Sequence, residues 1–174
     1  MFLKAWRFIT IILTALLMTM GFAHLWQMPT RLTYDGSLWF TTLNMYQQFG
    51  PGGPGPFIEI GAIVSTIVLL FLLRDHRMAS VLALVAAISL LAAFAAWWVL
   101  VHPVNVEMLN WTAESLPANW MEYRDRWEYA HAARAVFQLI ALSGLVLSML
   151  VEIPSGRANE RAPYSIGERR QASA

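Results

Sequence analysis

Four apolar runs, at residues 8–28, 57–73, 79–101 and 132–151, constrain this chain more than any other feature. A bilayer core about 30 Å thick is crossed by roughly 20 helical residues, and each run meets or approaches that length. Inside hydrocarbon every backbone N–H and C=O must be bonded within its own segment, so each run is expected to be a helix. Hydrophobic residues make up 57% of the 174 and charged ones 13%, where a soluble domain carries about a quarter charged. The expected fold is all-α: an integral membrane, up-down four-helix bundle with helical extracytoplasmic loops. It forms one domain over residues 1–153, followed by a polar cytoplasmic tail, 154–174, that Pro154 and Gly156 separate from the last helix and that is too polar to fold alone. Gly21, Gly61, Ala62, Ala92, Ala93 and Gly144 would let the helices approach closely. Lys4 and Arg7 before the first run, and Gly21-Phe22-Ala23 within it, imitate a secretory signal. The run is long for one and continues through Leu25, Trp26 and Met28, so an uncleaved span is expected.

The short loops orient the bundle, because Lys and Arg accumulate on the cytoplasmic side. Eight of them (Lys4, Arg7, Arg74, Arg77, Arg157, Arg161, Arg169, Arg170) fall on one side, and three (Arg31, Arg124, Arg126) on the other, with Arg134 at the border of the fourth span. Both termini are therefore expected in the cytoplasm and residues 29–56 and 102–131 outside, in a membrane such as the bacterial inner membrane. Trp6 would mark the inner boundary and Trp26, Trp97 and Trp98 the outer one, as an aromatic belt. A net charge of +1 without a basic stripe gives no reason to expect nucleic acid as a partner. The absence of cysteine excludes disulfides, thiolate catalysis and cysteine-held metal.

Polar residues within apolar runs point to function, because ionisable groups in a span usually face the bundle interior or a cavity. Along the first run Thr10, Thr14, Gly21 and His24 share one broad face. Glu59 enters early in the second span, where the helix dipole favours a carboxylate. Ser65, Thr66, Ser80 and Ser89 are expected to bond back to their own helices. Between the first two spans, Ser37–Phe49 carries Trp39, Leu43 and Tyr46 at helical spacing, which predicts a short interfacial helix lying over the bundle. The glycine and proline run at 50–56 then breaks the chain until Pro56 can start the second span.

Between the third and fourth runs lies the most charged part of the domain. Ser115, with Pro117 after it, is a credible helix start. If that helix continues into the fourth span, Trp120, Arg124, Trp127, His131, Arg134 and Gln138 lie within roughly 80° of one another, at about 100° per residue. Such a stripe, descending into the membrane, is expected to face a cavity between the helices, because lipid-facing Arg134 would be costly. Glu128 is placed to orient the His131 imidazole or to pair with a cation.

The order W-E-x-x-H-x-x-R, in Trp127, Glu128, His131 and Arg134, with the upstream Pro103-Val104-Asn105, resembles the anthrone oxygenase-like family of small four-span membrane proteins, much of it known only as a domain of unknown function. Trp111, Pro117, Trp120 and Arg126 fit the same signature, as does Met28-Pro29, and the resemblance covers residues 102–145. It implies oxidation of planar phenolic or polyketide anthrones by O2 without a bound cofactor. On that basis His131 would be the base, oriented by Glu128; Arg134 and Arg126 would stabilise the oxyanion; and Asn105 would donate a hydrogen bond. Trp111, Trp120 and Trp127 would stack on the substrate, with His24 and Gln138 also lining the site.

Two other readings remain open. His24 and His131 lie at similar depth on different helices, as ligands of a haem or transition metal would. The outer helices would equally suit a non-enzymatic membrane subunit that joins a homo-oligomer or a membrane complex. In every case the first partner is the lipid bilayer, and in the enzyme reading a small planar aromatic or other apolar ligand.

Overall fold

The computed structural model describes residues 1–45 and 52–152. Helix α1 spans Phe2–Arg31 and runs past both expected ends. Pro29 lies inside its last turn, where the missing N–H removes one backbone hydrogen bond without ending the helix. After a turn at 32–34, Asp35 caps α2, Gly36–Asn44, by accepting the Leu38 N–H at 2.8 Å. The remainder of the expected 37–49 helix, the first residues of the 50–56 connector and the 154–174 tail lie outside the described residues.

Helix α3, Gly55–Leu72, has Pro56 in its first turn, close to the expected start. A tight turn leads to α4, Arg77–Ala96, a π turn at Trp97–Val101, and α5, His102–Met108. These three form one helical stretch, Arg77–Met108, so residues 102–108 belong to the third span's helix and not to a loop. Pro103 explains the π turn. It has no N–H to give the Val99 carbonyl, and the backbone widens so that the His102 N–H bonds to Trp97. Arg126 supplies the missing donor, its Nη2 lying 2.8 Å from the Val99 oxygen.

Ser115 does not start the last helix. It pairs with Thr112 through a bridge and a 2.9 Å hydroxyl contact. The Trp120 N–H then bonds the Pro117 carbonyl, and α6 runs Trp120–Leu150. Ser115 lies in this turn, five residues before the helix begins, and Asn119 holds the N-cap position.

Four of the helical stretches are long and apolar enough to cross a membrane, and the chain is an integral membrane helical bundle. α1 and α4 each pack between α3 and α6, which closes the four into a ring. Paired residues run in opposite order: Arg7 meets Glu152 and His24 meets His131. Likewise Thr10 meets Ser65 while Leu13 lies beside Gly61, and Ala93 meets Arg134 while Leu82 lies beside Gly144. Each neighbouring pair is therefore antiparallel, as an up-down bundle requires.

The interior is divided along its length. The half nearer the chain termini holds an apolar core of Leu17, Ala62, Leu69, Leu73, Ala83, Leu90 and Leu145. Several small polar side chains within it are hydrogen-bonded. Thr66 bonds back to Ala62, as expected, whereas the Ser65 hydroxyl crosses to Thr10 at 2.6 Å and its carbonyl accepts the Trp6 indole N–H. At that end Glu152 lies 2.6 Å from Arg7 and 2.9 Å from His76, joining α1, the α3–α4 turn and α6. The other end is capped by a second core of Trp39, Phe40, Val101, Val104, Trp127 and Ala130.

Candidate functional site

Below that cap lies the polar part of the α6 stripe. Glu128, His131, Arg134 and Gln138 are 1%, 6%, 8% and 2% exposed, so the stripe faces into the bundle. α1 brings His24 opposite it. The two imidazoles stack with centroids 4.1 Å apart and planes 22° from parallel. Trp127 closes the side of the stack, 4.2 Å from His131 and 5.1 Å from His24.

Two guanidinium–carboxylate pairs flank the rings. Arg31 binds both oxygens of Glu128, each at 2.7 Å, the bidentate geometry that a planar guanidinium favours. The same guanidinium donates to Gln27 at 2.9 Å and to the His24 carbonyl at 3.1 Å. It also lies 3.4 Å from His24 Nδ1 and 5.5 Å from the Trp127 ring centre. Trp39 gives its indole N–H to Glu128 Oε1 at 3.0 Å. Deeper in the bundle, Arg134 Nη2 binds Glu59 at 2.7 Å while its Nε donates to the Ala93 carbonyl at 3.1 Å. Each buried charge thus has an opposite charge, and Arg31, Glu128 and Arg134 each have a further hydrogen bond, which is what makes ion pairs tolerable in a low dielectric.

Of the residues expected at the site, His24, Trp127, Glu128, His131, Arg134 and Gln138 come together. Glu128 pairs with a cation, and that cation is Arg31. Its carboxylate is occupied by Arg31 and Trp39, and no hydrogen bond between it and His131 is present among the described residues. Asn105 accepts the Trp127 indole N–H at 2.9 Å and so fixes the wall of the site rather than its floor. Trp120 lies one layer out, 6.2 Å from Trp39. Trp111 packs on Phe40 and Tyr123 in the cap. Arg126 is exposed at the Val99 carbonyl. Arg31 and Trp39, which the sequence places only as an outer-loop charge and part of the interfacial helix, also belong to the site. Gln27 and Arg31 follow His24 on one helix face, and that spacing was the available signal.

At the floor, Gln138 Oε1 is buried without a hydrogen-bond partner. It fills the space left by Gly21, where a Cβ would stand 2.1 Å from that oxygen.

The histidine pair does not fit metal or haem ligation in this arrangement. A metal held by two imidazoles sits about 2.0–2.1 Å from each nitrogen, with both lone pairs converging on it. Rings stacked face to face point their lone pairs sideways, and their 4.1 Å separation leaves no room for a porphyrin between them. Among the described residues no group of three or more His, Cys, Asp or Glu is placed to hold a metal ion.

Two concavities lie elsewhere: a groove of about 410 Å³ along Leu142, Ser143, Val146 and Leu147, and one of about 230 Å³ beside Asn119, Glu122, Tyr123 and Arg126. The histidine cluster is packed on itself.

The chain matches no family model, no curated protein and no solved structure. Fold and site together define its class: an integral membrane four-helix bundle with a buried, charge-balanced aromatic and histidine cluster at one end.

Proposed function

We propose that this cluster is the active site of a cofactor-independent oxygenase of the anthrone oxygenase-like kind, acting on planar phenolic substrates in a membrane such as the bacterial inner membrane. The excess of Lys and Arg near the chain termini supports placing both termini in the cytoplasm and the capped end outside. One observation carries the chemical reading. His131 is stacked on a second flat ring and walled by Trp127, and no hydrogen bond to either of its ring nitrogens is present among the described residues. A flat ligand that replaces part of this stack meets a base and an aromatic surface together.

His131 removes a proton from the activated CH2 of the planar ketone, and Arg134 stabilises the resulting enolate oxygen. O2 then adds to the carbanion carbon, and the proton held on His131 returns to the peroxide oxygen to give the hydroperoxide. Loss of water from the hydroperoxide leaves a new carbonyl, so one oxygen atom ends in the quinone and the other in water. Glu128 acts indirectly by holding Arg31, and Asn105 by holding Trp127.

Anthrone in air-saturated buffer, with the protein in nanodiscs, is the direct assay. His131→Ala and Arg134→Ala should each lower turnover by about 10²-fold or more, the usual contribution of a general base or an electrostatic donor. Unchanged turnover in both overturns the assignment. A non-enzymatic membrane subunit is the second reading, favoured by the way both guanidinium pairs are satisfied internally. It predicts no turnover in the unmodified protein and co-purification of a stable membrane partner.

A further inference from the structure

We propose that α2 is the gate of the His24–His131 site and that the Trp39–Glu128 hydrogen bond is its latch. Among the described residues the imidazole faces are taken up by each other and by Trp127, so a ligand that reaches them must displace part of that packing. On the side of the chain termini the apolar core fills the bundle, and the four long helices form the walls. At the remaining end α2 contributes Trp39 and Phe40 to the core that caps the site.

α2 is attached in a way that suits movement. It has nine residues, fewer than an isolated helix needs to be stable in water. Two of its side chains, Trp39 and Phe40, are buried in the core that caps this end. Trp39 is the main anchor: it is 0% exposed, its indole N–H is held by Glu128, and its ring lies 6.4 Å from Trp127. Withdrawing Trp39 uncovers Trp127, the ring that touches both histidines. It also takes a donor from the carboxylate that holds Arg31, and Arg31 contacts His24, so opening is coupled to the charges around the imidazoles.

The hinge side is equally defined. A Cβ on Gly36 would lie 3.0 Å from the Trp120 ring and 3.2 Å from Leu116, so the start of α2 is seated against the cap where a methyl group enters only if those side chains give way. The latch and the seat are therefore two separate positions at which α2 can be disturbed, one through its donor and one through its packing.

This inference deepens the reading of the cluster as a ligand site and rests on it only for what passes through. Its test needs neither ligand nor turnover. Trp39→Phe removes the indole donor, and Gly36→Ala wedges the helix while keeping that donor. In nanodiscs, diethyl pyrocarbonate would be used to modify the histidines, with rates read by peptide mass spectrometry at His24 and His131. His76, at the opposite end of the bundle, serves as the reference. Losing one hydrogen bond to a charged acceptor should raise the open population, and hence the modification of His131 relative to His76, about tenfold. A selective rise in either variant supports the gate. No rise in both, or a rise shared by His76, overturns it. A protein that gates but oxidises no anthrone keeps this inference and loses the oxygenase assignment.

Discussion

His24 and His131 stack ring on ring across the α1–α6 seam, 4.1 Å apart. Register and packing both contribute to this contact. The antiparallel pairing that brings Arg7 to Glu152 at one end brings His24 to His131 near the other. Trp127 and the two guanidinium–carboxylate pairs then leave the rings little freedom to turn away. Disturbing the helix contacts should therefore disturb the stack, and the glycines show where.

Three interhelical glycines should respond differently to alanine. A Cβ at Gly61 would touch only Leu13, at 3.8–3.9 Å. Gly61→Ala should therefore be neutral or stabilise by up to about 1 kcal/mol through helix propensity. At Gly144 the Cβ would stand 2.9 Å from the Leu82 carbonyl oxygen. Backbone cannot move aside there, so α4 and α6 must separate at a cost of about 1–3 kcal/mol. At Gly21 the conflict at 2.1 Å is with the movable end of Gln138, although the Ala135 Cα also lies at 3.2 Å. Gly21→Ala should be partly rescued by Gln138→Ala, whereas Gly144→Ala has no such partner. Thermal unfolding of the set in one detergent checks the order.

The Arg31–Glu128 pair gives a double-mutant cycle. Its side chains are 3% and 0% exposed. Glu128→Gln strands a buried cation and should cost about 3–5 kcal/mol. Arg31→Met together with Glu128→Leu removes both charges and should recover most of that loss. A double variant as unstable as the worse single one would show that packing, not charge balance, holds this end of the bundle.

Much of the architecture was legible because membrane spans are written in one dimension: about twenty apolar residues suffice. The α6 stripe was legible for a similar reason, since a 3.6-residue period puts His131, Arg134 and Gln138 on one face whatever surrounds them. Partners were harder to read. Arg31 looked like a loop charge because hydropathy averages over sequence neighbours, and the carboxylate that holds it is 97 residues away. The π turn has little sequence signature beyond Pro103. Ser115 has the right residue type for a helix cap, yet it lies in a turn with Thr112 and Asn119 holds the N-cap position.

Asn105 and Trp127 allow a local test of the aromatic wall. The indole N–H has Asn105 Oδ1 as its acceptor at 2.9 Å, and the ring is nearly buried. Asn105→Leu leaves that donor unpaired, which should cost about 1–3 kcal/mol. Adding Trp127→Phe removes the donor as well, so the double variant should lose less than the two single losses added together. Near-ultraviolet circular dichroism should show the ring environment changing in Asn105→Leu alone. Full additivity in stability would show that this hydrogen bond does not hold the wall.

At the opposite end Glu152 serves two partners unequally. Arg7 is almost wholly buried, with its side chain 7% exposed, whereas His76 is 47% exposed. Exposed pairs contribute about 1 kcal/mol or less, but a buried guanidinium that loses its carboxylate keeps its full desolvation cost. Glu152→Gln should therefore lower stability by about 1–3 kcal/mol, and His76→Gln by less than about 1 kcal/mol. Arg7→Met in the Glu152→Gln background should restore part of the loss, because it removes the stranded charge. Thermal unfolding at neutral pH separates these cases. If His76→Gln costs as much as Glu152→Gln, the α3–α4 turn depends on His76 more than α1 depends on Arg7, and burial does not set the hierarchy at this end.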